Sequence, residues 1–335
     1  MFKFYKIMFF STMVMGTLIA ISAYSWLAMW MGLEINLLSI IPLLNNNDNL
    51  YPSEASLKYF ITQVLASSIL LLSVILKLNL NEIFNYSSVL TLMLNSALLT
   101  KLGAAPFHAW FPEVMEGLNW SNSLLILTWQ KIAPFIILMY APLSLNFIII
   151  IIIISTSLSG IMGINQTSLR KILAYSSINH ISWMLASILN NQVIWSFYFI
   201  IYSIITINII LILKKTSCYF INQLNNSLNK YKMFNFFFIL NFLSLGGLPP
   251  FLGFFPKWLV INNLIMNNLI LLSLILIVIT LITLFFYLRI TFSVIMINSS
   301  ELMIYKNQLI DFTIIVFNFI SLSGLLACTL VFSFL

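Results

Sequence analysis

Two stretches of the chain carry one pattern: Gly103, Pro106, Phe107, Phe111 and Pro112 recur as Gly247, Pro250, Phe251, Phe255 and Pro256, at identical spacing 144 residues later. Pro249 adds a second proline to the later copy, and each copy interrupts a long apolar run. Glycine and proline in mid-helix free backbone groups that hydrocarbon cannot satisfy. Such breaks persist only where neighbouring helices, side chains or trapped water take up the bonds. Two matched breaks in one chain mark a transporter-like membrane fold built from internal repeats.

Composition puts the chain in a bilayer. Of 335 residues, 61% are hydrophobic and 7% charged, against about 45–50% and 25% in soluble domains. The unbroken run from Ile148 to Ile154 fits drift toward AT-rich codons, as in an organelle gene. The basic, apolar N-terminus resembles a signal peptide, but no small-residue cleavage site precedes a soluble region, so it is read as the first span. Cys218 lies in a polar loop and Cys328 in the last apolar segment; neither a disulfide nor a metal site is expected. The net charge of +7 comes from scattered loop-end residues with no aromatic-interleaved patch, which argues for a topology signal and against nucleic acid.

Spans of about 20 apolar residues fall at 7–24, 25–44, 59–78, 87–117, 122–141, 144–164, 170–189, 193–213, 234–265, 269–290 and 312–334. The segments at 87–117 and 234–265 are long enough for a helix, an unwound linker and a half-helix. Lys3, Lys6, Lys58, Arg170, Lys171, Lys214, Lys215, Lys230, Lys232, Arg289 and Lys306 fall on the N-terminal side of this arrangement, and only Lys77 on the other. Basic loops stay inside, so the N-terminus is expected inside and the C-terminus outside. The expected fold is all-α, with about eleven transmembrane helices. Residues 1–141 and 142–292 form two inverted-topology repeats of five helices, each with one broken helix, and 293–335 a loop and last helix.

With so few charges, those inside the spans stand out. Glu34, Lys101, Lys131 and His180 lie near mid-span, and Lys257 follows the second break. A charge at that depth costs at least about 2.5–3.5 kcal/mol, so these groups should face a shared polar interior. Burial disfavours a lysine's charged form and a nearby carboxylate favours it. A Glu34 that moves relative to Lys101 would therefore switch the lysine's hold on a proton, the basis of a relay. Plainer readings stand beside this one: a static Glu34–Lys101 ion pair, a snorkelling Lys131, and a hydrogen-bonded His180 at a helix contact. His108, past Pro106, is either a point where protons enter or a packing residue. Arg170, Lys171 and Arg289 are read as topology determinants, Glu113 and Glu116 as lying near the interior face, and Trp110 and Trp120 as interfacial anchors. The chain has no Gly-rich phosphate loop, no metal-spaced Cys/His set and no His pair placed to ligate haem. No cofactor or metal is expected on it.

The segments Trp30–Leu38, Lys101–Pro112, Trp129–Pro134, Leu169–His180 and Leu245–Trp258 closely resemble, in order and over essentially the whole chain, the subunit 2 family of mitochondrial NADH:ubiquinone oxidoreductase, respiratory complex I. Eleven spans match the short animal form, which lacks three N-terminal helices of the bacterial relatives; a neighbouring subunit would then complete the channel. The resemblance implies an antiporter-like, proton-translocating subunit of the membrane arm in the mitochondrial inner membrane, N-terminus in the matrix and C-terminus in the intermembrane space. It makes Glu34 the regulatory glutamate, Lys101 the lysine of the first half-channel, Lys131 and His180 links along a hydrated axis, and Lys257 the terminal lysine of the second half-channel. FMN, iron-sulfur clusters and ubiquinone would reside on other subunits. Partners would be neighbouring antiporter-like subunits, small accessory chains and the bilayer, with structural lipid such as cardiolipin compatible. A free-standing cation/proton antiporter and an inert assembly scaffold are the competing readings.

Overall fold

The computed structural model describes residues 4–45, 50–80, 87–228, 232–249 and 251–296, together with Val316, Asn318, Phe319, Ser321 and Gly324. The described residues are almost wholly helical and divide into two compact units, Met1–Ile151 and Ile152–Leu335. Seven helical stretches among them, Trp120–Tyr140 counted as one, are long and apolar enough to cross a membrane. Helix runs along each of the first ten segments placed from the sequence. The last segment, 312–334, lies outside the described residues except for those five helical positions, as do Lys3, Lys306 and Pro250.

In the first unit, α1 (Phe4–Ser22) and α2 (Trp26–Leu44) pack as a tight hairpin. A Cβ on Gly32 would stand 2.6 Å from the Ala20 nitrogen; small residues let the two backbones meet, as membrane helices without a hydrophobic drive to associate require. The end of α2 is closed by Asn122, whose Nδ2 donates to the Leu43 and Leu44 carbonyls at 3.1 and 3.3 Å. Helix α3 (Leu50–Leu80) begins well before the apolar run at 59. Pro52 lies in the first turn, where N–H groups have no intrahelical acceptor, and exposed Glu54 and Lys58 carry the helix past the span.

The fourth segment is α4 (Ser87–Leu102) and α5 (Trp110–Gly117), separated by a linker. The fifth runs as one apolar stretch, Trp120–Tyr140, with one interruption. It divides into α6 (Trp120–Leu127) and α7 (Trp129–Tyr140) at Thr128, whose φ and ψ are −115° and −71°. Pro134 has no N–H to offer the Gln130 carbonyl, and Thr128 turns its hydroxyl onto the Leu124 carbonyl at 2.7 Å. Trp120 is buried, and Trp110 is half-buried with ring contacts to Tyr59 and Phe111.

Helix α8 (Leu145–Ile164) runs across the division between the units. The second unit continues with α9 (Leu169–Ile188), α10 (Gln192–Thr216), α11 (Ile221–Leu228), α12 (Lys232–Gly246), α13 (Phe254–Met266) and α14 (Ile270–Met296). Helix α9 is buried almost throughout despite six Ser, Asn and His side chains in its core. Ser176, Ser177, Ser182 and Ser187 satisfy their hydroxyls on carbonyls three residues back, at 2.6–2.8 Å. By contrast α14 shows an exposed apolar stripe of Leu274, Val278, Leu281 and Phe285 at helical spacing, the face of a helix against lipid. Arg289 donates to the Ile164 and Gln166 carbonyls and so closes the end of α8. Asn241 of α12 binds Asn318 and accepts from Ser321 at 3.2 Å, docking those two positions on the broken helix.

Candidate functional site

Both breaks end their first helix in the same way. Gly103 and Gly247 adopt φ of +76° and +78°, a left-handed conformation that glycine enters at no steric cost. The Gly103 N–H bonds to Thr100 O (3.2 Å) and the Ala104 N–H to Leu99 O (3.1 Å); Gly247 bonds to Ser244 O (3.0 Å) and Leu248 to Leu243 O (3.4 Å). This is the Schellman arrangement in both copies. Residues 103–109 and, among the described ones, 247–253 are non-helical. Pro106 and Pro249 lie on these linkers, and the Ala105–Pro106 bond is cis.

At the first break, carbonyls of the last helical turn also accept from side chains elsewhere. Trp110 Nε1 donates to Thr100 O (3.2 Å) and Gln63 Nε2 to Lys101 O (3.4 Å). Lys101, in the last turn of α4, is 7% exposed and lines a cavity of about 20 Å³ together with Asn36, Tyr59, Gln63 and Gln130. That is room for about one water among several polar partners. Glu34 on α2 is near enough to act electrostatically on Lys101 but forms no ion pair with it; one carboxylate oxygen is buried without a hydrogen-bond partner among the described residues. Lys131, in the first turn of α7 and 2% exposed, holds its ammonium 5.6 Å from the centre of the Phe111 ring, within reach of a cation–π contact.

At the second break the carbonyls are taken by the lysine itself. Lys257 Nζ donates to Gly246 O at 2.8 Å and reaches Leu245 O at 3.5 Å, with Trp183 of α9 under it at 5.8 Å. A cation on the last carbonyls of a helix meets the negative end of its dipole. One turn before Trp183, His180 places Nδ1 2.9 Å from the Tyr198 hydroxyl and its ring 4.9 Å from that of Tyr202. These three line a second cavity, of about 10 Å³, with Ser244, Leu245 and Gly253.

The structure thus gathers Glu34 and Lys101 in one unit, and in the other sets His180 against Tyr198 and Tyr202 and Lys257 against Trp183, one turn farther along α9. His108 stays on the first linker, partly exposed, with Nδ1 3.3 Å from Pro106 O, and lines neither cavity. The sequence does not single out Asn36, Tyr59, Gln63, Gln130, Trp183, Tyr198 or Tyr202; Asn36, a polar group at mid-span, is the signal that could find the first of them. Lysine and imidazole groups can accept and release protons without any change in covalent structure.

The family model described as "NADH:quinone oxidoreductase/Mrp antiporter, TM" matches residues 23–283. NADH-ubiquinone oxidoreductase chain 2 of Anopheles gambiae is 46% identical over 97% of both chains, and that of Aedes aegypti 49% identical over the same share. Among solved structures, a chain of respiratory complex I from Thermus thermophilus with bound aureothin superposes with a TM-score of 0.84 at 21% identity, covering 96% of this chain and 78% of that one.

Proposed function

The chain belongs to the NADH-ubiquinone oxidoreductase chain 2 family, a membrane-arm subunit that translocates protons, and from that premise we propose which of its residues move them. Lys101 is the proton-holding group of the first break and Lys257 that of the second. Glu34 modulates Lys101 from a distance, and Lys131 and His180 connect the two along the interior. Electron transfer from NADH through flavin and iron-sulfur centres to quinone takes place on other subunits.

One observation carries this reading: each unit places a buried lysine at a glycine-ended half-helix, and at the first break that lysine lines a polar cavity with room for about one water. A lysine held at a fold's surface for topology has no need of such a site. The chain lies in the mitochondrial inner membrane as a multi-pass protein. Its N-terminus faces the matrix, on the strength of the basic bias, and neighbouring antiporter-like subunits flank it.

The test is proton translocation per electron in the assembled complex, reconstituted in vesicles with turnover confirmed. Lys101→Met keeps the side chain's length and removes its proton. It should lower the proton-to-electron ratio while the complex still assembles. An unchanged ratio would leave this chain a scaffold.

A further inference from the structure

Asn36 and Gln130 form a closed amide pair: Asn36 Nδ2 donates to Gln130 Oε1 at 3.1 Å, and Gln130 Nε2 returns a bond to Asn36 Oδ1 at 2.9 Å. The Tyr59 hydroxyl adds a third bond to Gln130 Oε1 at 3.4 Å. Three helices therefore converge on one amide. The residues they carry are telling. Asn36 lies two positions after Glu34 on α2, and Gln130 immediately precedes Lys131 on α7. Helix α7 follows the interruption at Thr128, and its first turn is tied back through the Lys131 N–H on Thr128 O (3.2 Å), a tighter bond than the α-helical ladder. The amide pair adds a directional hold to this.

The pair also forms part of the wall of the Lys101 cavity, which Lys131 does not line. A primary amide donates and accepts hydrogen bonds but takes up no proton at physiological pH. Each amide spends one N–H and one oxygen lone pair on the other, so at that point the wall holds no group that titrates.

We propose that the Asn36–Gln130 pair is a latch: it sets the position of Lys131 against the helix carrying Glu34, and while closed it shuts the Lys101 cavity off from Lys131. Both are positioning residues, acting through the lysines. The inference rests on the proton-relay reading of Lys101 and Lys131 given above.

Gln130→Met and Gln130→Glu test it in the assembled complex in vesicles. The methionine keeps length and cannot donate. The glutamate differs by one NH2 for one oxygen; protonated, it can both donate to and accept from Asn36, and ionised it can only accept. The new carboxyl would be faced by Asn36 and Glu34 from α2, Tyr59 from α3, Lys101 from α4 and Lys131 from its own helix. The expected result is that Gln130→Met removes the same share of the proton-to-electron ratio as Lys101→Met. Gln130→Glu should match it in alkaline solution and recover as the pH falls. A plain packing role would give no such pH profile. If Gln130→Met does not assemble, Gln130→Glu alone decides. A full ratio at every pH in whichever variant assembles overturns the latch. Lys101→Met, measured alongside, separates the two failures: a loss there with a full ratio in the Gln130 variants sinks the latch alone, and a full ratio in Lys101→Met sinks the reading beneath it.

Discussion

Lys101 and Lys257 are equally buried, and each serves a half-helix that ends on a left-handed glycine, yet what surrounds their ammonium groups is opposite in kind. Around Lys101 are side chains: the Asn36, Gln63, Tyr59 and Gln130 groups of the cavity, and Glu34 acting from beyond ion-pair distance. Around Lys257 the partners are backbone carbonyls of Gly246 and Leu245 and the face of Trp183. Carbonyls at a helix end carry a fixed partial charge that cannot titrate. A carboxylate can move or take a proton. On the proposed relay, the first lysine would answer to one distant residue, and the second only to a shift of the end of α12.

The largest test of this contrast is Lys257→Arg. A guanidinium keeps the charge and still satisfies the carbonyls, but does not release its proton in a protein. The complex should assemble and lose the whole of this subunit's share of proton translocation, read as protons per electron in vesicles. A normal ratio would show that Lys257 supplies only fixed charge.

The two glycines sharpen the comparison. Replacing either with alanine forces a left-handed residue, at about 1–2 kcal/mol, but the added methyl meets different neighbours. At Gly247 it would stand 2.8 and 2.9 Å from Cδ and Nζ of Lys257, the movable end of a side chain. At Gly103 it would stand 3.1 and 3.2 Å from the Phe111 and Trp110 rings, which are wedged together. Gly247→Ala should thus lower proton translocation more than assembly, and Gly103→Ala assembly more than translocation. Native-gel yield and vesicle pumping on the same preparations check this; equal profiles for the two variants would remove the distinction between the breaks.

How far these sites could be read in the sequence follows from what each rests on. The breaks were legible because Gly and Pro act on their own backbone, and the lysines because a charge at mid-span is rare. The hold on Lys257 was not, since its acceptors are main-chain oxygens of Leu245 and Gly246, which every residue carries. Nor was the Asn36–Gln130 pair, whose members are neutral and 94 residues apart. The interruption at Thr128 had only Pro134 to announce it, and proline in a membrane helix often leaves the helix intact. In helix α9 the serines are buried with their hydroxyls on i−3 carbonyls, acceptors that no sequence pattern marks.

Glu34→Gln gives a smaller effect, and one that bears on the Lys101 side alone. Were Glu34 and Lys101 a static buried pair, loss of one partner would strand the other at about 3–5 kcal/mol, and the double variant would assemble better than either single one. With no ion pair between them, Glu34→Gln and Lys101→Met should both assemble, and the double variant should do no better. Pumping should fall in each. Rescue of assembly in the double variant, seen on a native gel, would restore the static pair.

The smallest effect belongs to the position that the repeat makes equivalent to Lys257. Glu113 holds the same place in the first copy, but it is exposed and meets Lys58 at 3.0 Å, with Glu54 at 3.1 Å on the other side of that lysine. Water screens such pairs, and holding two long side chains together offsets most of the attraction. Repeat spacing alone would make positions 113 and 257 partners in one mechanism; burial says that only the second can hold a proton out of contact with solvent. Lys58→Ala, which frees Glu113, should therefore leave the thermal unfolding profile of the complex and its proton-to-electron ratio indistinguishable from the parent. A ratio that drops in Lys58→Ala would mean that the exposed triad feeds protons to the first break, and the asymmetry between the two copies would then lie in where protons are collected rather than in how the lysines are held.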